Sequence, residues 1–158
     1  MGNMLDLIRN QNLSAIEDAK QEIRACNQLT ERFGLTLSEP EIGELVQCRA
    51  DALKNSGRIE FGGGILPKLI FAFCDSPYIE QEHYMETLAE LQEAFYYYKS
   101  EALDLYTDDE LIEFMVSVFN GRAQGSAEYL IGTSLEALCR YARTDYDPRN
   151  ANEAGDLF

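Results

Sequence analysis

Positive charge is scarce in this chain: 13 lysines and arginines face 28 aspartates and glutamates, a net charge of −15 over 158 residues. Sequence-independent binding to nucleic acid depends on cations that displace counterions from phosphates, so this balance argues against a nucleic-acid partner. It disfavours an anionic membrane surface for the same reason. No apolar run approaches the roughly 20 residues that a membrane-spanning helix needs. Residues 1–9 lack the basic start and sustained apolar run of a signal peptide. Histidine occurs once, at His83, which excludes the paired Glu-x-x-His motifs of a di-iron bundle. The cysteines, Cys26, Cys48, Cys74 and Cys139, form no Cys-x-x-Cys pair. They read as reduced thiols of a cytoplasmic protein, packed mostly as small apolar side chains. Tryptophan is absent, which excludes nothing. Acidity of this degree keeps a protein soluble without any partner, and a basic partner would be drawn to it.

What is present is a core. Nine tyrosines and eight phenylalanines stand in a chain that is 46% hydrophobic, and a domain of this length buries about 70% of the surface its unfolded chain exposes. The organising stretch is residues 80–106. Tyr84, Leu88, Leu91, Phe95, Tyr98, Ala102 and Leu105 recur every three or four residues, the period of a helix with one apolar seam. A helix of that extent is about 40 Å long. Phe95, Tyr96, Tyr97 and Tyr98 are consecutive and point nearly all round the axis, so neighbours are expected on more than one side.

Shorter helices are expected around it. Residues 5–24 hold one or two, the second capped by Ser14 with Glu17 completing a capping box, and Ile16, Ala19 and Ile23 share a face. Ser38-Glu39-Pro40-Glu41 starts another, with Ile42, Leu45, Val46, Ala50 and Leu53 inward and Gly57 at its end. Residues 65–73 are apolar on every side, with Pro67 tolerable in the first turn. Thr107 and Glu110 form a further capping box before the stripe of Leu111, Met115 and Val118. A short helix over residues 127–131 stops at Gly132, and the last begins at Thr133. Two extended pieces, residues 35–37 and 58–61, could pair as a short two-strand ribbon. Residues 144–158 hold four acids and no periodicity, and read as a flexible acidic tail behind a single helical domain over residues 1–143.

Candidate chemistry is thin. Gly62, Gly63 and Gly64 precede a helix start with Lys68 one turn on, an arrangement that lets backbone amides approach an anion. The spacing is neither a dinucleotide fingerprint nor a Walker A loop, and a tight turn that lets the apolar helix pack is the simpler explanation. Glu80 and His83 have an i, i+3 metal-ligand spacing. With Glu82, Glu86, Glu90 and Glu93 they also make the solvated side of an amphipathic helix. Tyr84 and Tyr97 could line a pocket beside the glycine turn, although rings packed inward with hydroxyls at water need no ligand. Asp145, Asp147 and Asp156 do not complete a calcium loop, since Arg149 and Asn150 occupy ligand and turn positions. No cofactor motif and no catalytic constellation is present.

Arg58-Ile59-Glu60-Phe61-Gly62-Gly63-Gly64, Phe73-Cys74-Asp75-Ser76-Pro77-Tyr78-Ile79, Phe95-Tyr96-Tyr97-Tyr98-Lys99 and Asp108-Asp109-Glu110-Leu111-Ile112-Glu113-Phe114-Met115 together resemble a family of small uncharacterised proteins of clostridial-type Firmicutes, a domain of unknown function. The resemblance covers roughly residues 26–143. It implies a cytosolic bacterial protein and carries no reaction, cofactor or site. The expected fold is all-α, about six helices around one long central helix. Two functions are open: a non-enzymatic interaction or regulatory module with a protein partner or as a homodimer, and a small-molecule (anion or phosphate) binding protein or enzyme with a pocket between the Gly62–Gly64 turn and the central helix. The second would use Gly62, Gly63, Gly64, Lys68, His83, Tyr84 and Tyr97.

Overall fold

Helices dominate because the chain supplies apolar stripes of period 3.6 and places its breakers between them. A computed structural model describes residues 4–143, and six helices with no strand occur among them. The tail assigned to residues 144–158 lies outside the described residues.

Helix α1, Met4–Thr30, is continuous. No glycine or proline falls within it, so Ser14 does not cap a second helix but rides exposed inside the first. Its inward face is Ala19, Ile23, Cys26 and Thr30, and Ile16 falls outside it. After a 3-10 turn and Gly34, the extended residues 35–37 find no strand. Asn27 donates to Leu37 O at 2.9 Å and accepts from Leu37 N at 2.8 Å. Gln81 does the same for Thr36, at 2.9 and 2.8 Å. Two side-chain amides thus satisfy the groups a ribbon would have paired, and residues 58–61 run free of them, with Ile59 and Phe61 84% and 89% exposed. The expected ribbon is absent for that reason.

Helix α2, Glu39–Ser56, has the anticipated capping box: Ser38 Oγ accepts from Glu41 N at 3.3 Å and Glu41 Oε1 from Ser38 N at 2.9 Å. Its buried positions are Ile42, Leu45, Val46 and Arg49, while Ala50 is exposed. The seam passes through a charged residue where the sequence suggested the neighbouring alanine. Helix α3, Leu66–Phe73, buries Leu66, Leu69, Ile70 and Phe73 and leaves Phe71 half exposed.

Helix α4, Tyr84–Glu101, is the centre of the fold. It packs against α2, α3 and α5, and against the last helix, while α1 closes over α2 and α3. The seam Tyr84, Leu88, Leu91, Phe95, Tyr98 and Ala102 is buried as expected. The helix itself is shorter, about 27 Å. Residues 81–83 form a 3-10 turn. At the other end Leu103 and Asp104 adopt left-handed backbone, φ 57° and 56°, and Asp104 N donates to Lys99 O at 3.1 Å. This is a helix stop built without glycine, so periodicity passes over it, and Leu105 ends up 64% exposed.

Helix α5, Asp108–Asn120, begins at the Thr107–Glu110 capping box. The last helix, α6, runs through Ala127–Tyr129, a π-helical turn Leu130–Leu135, and Glu136–Arg143. Gly132 therefore does not stop a helix; it lies within the π turn. Such turns leave a carbonyl without its usual partner, and here the Tyr98 hydroxyl lies 3.0 Å from Ile131 O.

Candidate functional site

The glycine turn is occupied from within. Gly64 N donates to Phe61 O at 3.1 Å, closing the turn. Gly63 N donates to Glu22 Oε2, on α1, at 2.5 Å. A carboxylate of the chain thus sits where an anionic ligand would go. Beneath the turn Glu60 accepts from Arg49 Nε at 3.2 Å and from the Tyr96 hydroxyl. Arg49 is buried, and its Nη2 has no hydrogen-bond partner among the described residues. Gly64 is required: its φ is +63°, and a Cβ there would stand 1.8 Å from Glu60 Oε1. Burial, and then Glu60, push the Tyr96 phenol well above its ordinary range.

The other residues singled out from sequence do not converge on this turn. Lys68 pairs with Asp109 at 2.9 Å on the surface of α3 and α5. His83 is exposed at the start of α4, whereas Tyr84 is buried in the core beside Thr30. Tyr97 points away, 52% exposed. Glu80, Glu82, His83 and Glu86 are all exposed, and among the described residues no three His, Cys, Asp or Glu side chains converge as a metal-holding group.

Tyr97 leads to a different place. An open groove of about 970 Å³ runs between α2 and α4 and ends against the π turn of α6. Helical spacing builds both walls. On α2, Cys48, Asp51 or Ala52, and Asn55 follow at three- and four-residue steps; on α4, Glu93, Tyr97 and Glu101 follow at four. Small residues, Ala52, Ala89 and Ala94, keep the floor open. Five carboxylates line it, from Asp51, Glu90, Glu93, Glu101 and Glu136, and among the described residues no lysine or arginine does. Tyr97 packs edge-on against Tyr98, ring centres 4.8 Å apart, which steadies an exposed ring. The Tyr98 hydroxyl shares its proton between Ile131 O and Glu136 Oε1, the latter at 2.8 Å. Burial and Glu136 both raise the Tyr98 phenol above its usual range.

The acidity of the groove registers on Cys48, the exposed cysteine. Burial of its sulfur is the larger cause of an upward shift, and Asp51, Glu44 and Glu93 add to it. A thiol held neutral in this way is a poor nucleophile. The acidic stripe was visible in the sequence as the solvated side of α4. Its pairing with a second stripe on α2 required the packing of one helix on the other.

Fold and groove together define an all-helical protein with a solvent-open acidic cleft. The chain belongs to a family of unknown function, DUF6323, whose model matches residues 22–148 and so includes α2 through α6. No curated protein and no solved structure matches it. Among the described residues no helix is long and apolar enough to cross a membrane.

Proposed function

We propose that the protein is a non-catalytic interaction module that receives a cationic segment of a protein partner in the groove between α2 and α4. One observation carries this reading: five carboxylates and an exposed tyrosine line a continuous cleft with no lysine or arginine in its wall among the described residues, Arg143 reaching only Glu101 from the end of α6. A positively charged chain entering it gains from a field focused between low-dielectric walls, and its aliphatic stems gain from the alanine floor. A second copy of a chain with net charge −15 is repelled from the same cleft, which favours a different protein over a homodimer. The anion-binding alternative is less well supported, since Glu22 already holds the Gly63 amide.

Anisotropy titration of a fluorescein-labelled basic peptide tests the reading. Binding should be saturable, should weaken with salt, and should fall in Asp51→Asn and Glu93→Gln. Exposed acids outside the groove, Glu31 and Glu113, should tolerate the same neutralisation with no loss. Equal losses at all four positions would mean diffuse attraction to an acidic surface, not a site.

A further inference from the structure

Resting on the reading just given, we infer that the groove selects arginine over lysine, taking a partner guanidinium on the face of Tyr97 between the carboxylates of Glu93 and Glu101. Three observations converge. The three residues are spaced i, i+4 and i+8 on α4 and line one cleft, so they form a single row with side chains about 5–6 Å apart at their Cβ atoms. Tyr97 keeps 52% of its surface open and is steadied by a T-shaped contact with Tyr98. The chain itself already places a guanidinium in this row: Arg143, at the end of α6, holds Glu101 Oε2 through Nη1 at 2.6 Å.

A planar guanidinium can stack on a ring and at the same time direct in-plane N–H groups at carboxylates on either side. An ammonium is a compact charge and has no such plane, so it gains less from this row. Arg143 then acts as an internal competitor for Glu101. An incoming arginine has to share or displace it, which sets the affinity below what the bare row would give.

The test compares labelled tetra-arginine and tetra-lysine peptides by anisotropy on the full chain, with thermal melts confirming that each variant is folded. Arginine should bind more tightly by about two- to fivefold, the range that a solvent-exposed cation–π contact spans. Tyr97→Ala should abolish that difference while leaving lysine binding nearly unchanged, and Tyr97→Phe, which keeps the ring face, should retain it. Arg143→Gln should tighten arginine binding by roughly threefold or more by freeing Glu101. Equal affinity for the two peptides in the wild type, or an arginine preference that survives Tyr97→Ala, overturns the inference and leaves the groove reading standing. If neither peptide binds, the groove reading itself falls and this inference with it.

Discussion

Replacing Glu60 by alanine should destabilise the fold by about 3 kcal/mol, toward the lower end of what breaking a buried ion pair costs. Glu60 accepts from Arg49 Nε and from the Tyr96 hydroxyl, and Arg49 and Tyr96 are 7% and 1% exposed. Its removal strands a buried guanidinium that already has one nitrogen without a partner. The Glu60 side chain is itself 18% exposed, so some water reaches the site and the cost stays below the fully buried limit. Urea denaturation followed by circular dichroism measures it: the midpoint should fall at constant slope. Removing both charges, with Arg49→Met and Glu60→Ala together, should cost less than Glu60→Ala alone. Gly64→Ala should approach the cost of the glutamate deletion, because its Cβ would expel the carboxylate from its place. In a Glu60→Ala background it should cost less, the left-handed strain of about 1–2 kcal/mol plus a small shift of Arg49, whose Nε would still lie 2.9 Å from the new Cβ. A loss under 1 kcal/mol for Glu60→Ala, or full additivity of the pair, would refute the reasoning: Arg49 would then be held by something other than Glu60.

Leu91→Ala should cost about 2–5 kcal/mol, because Leu91 is fully buried on α4. Leu105→Ala should stay within about 0.5 kcal/mol, and a large loss there would mean that the seam continues past Glu101. Tyr98→Phe should cost about 1–3 kcal/mol by leaving the Ile131 carbonyl of the π turn without its hydroxyl, and a melt indistinguishable from wild type would show that water replaces it freely. Alkaline conditions should destabilise the protein. Burial pushes Cys26 and Cys139 from 9.0 up to about 11, so below pH 9 both thiols are neutral folded or unfolded. Between pH 9 and 11 only the unfolded chain releases its protons, and stability falls by about 1.4 kcal/mol per pH unit for each thiol. Urea midpoints at pH 8.5 and 10.5 should show the drop and Cys139→Ala should make it shallower; a flat profile contradicts it.

Local signals carried most of the helical architecture. Two of the three expected capping boxes, at Ser38 and Thr107, form as their residues require, the one at Ser14 does not, and the buried seam of α4 matches its periodicity through Ala102. Several of the failures depended on atoms distant in sequence, and two were local. The ribbon was displaced by Asn27 and Gln81, whose amides pair with residues 36 and 37 from opposite directions along the chain. The π turn across Gly132 relies on Tyr98, more than 30 residues earlier. Helix α4 ends on left-handed Leu103 and Asp104, residue types that do not announce a stop. Arg49 does not announce itself as a seam residue, because its partner, Glu60, lies beyond a loop. The groove was legible only in halves. Glu90, Glu93 and Tyr97 share one helix, and only the packing of α2 beside it brings Asp51 and Cys48 to the same cleft.

Cys48 provides the most direct measurement, since it lines the groove and is exposed while the other three cysteines are buried. Its rate of modification by a neutral alkylating reagent can be followed by mass spectrometry with and without a saturating basic peptide. A seated peptide should slow the reaction at Cys48 several-fold at low salt and lose that protection at high salt. Binding that leaves the rate at Cys48 untouched would place the peptide elsewhere on the surface, and the groove would no longer be the site.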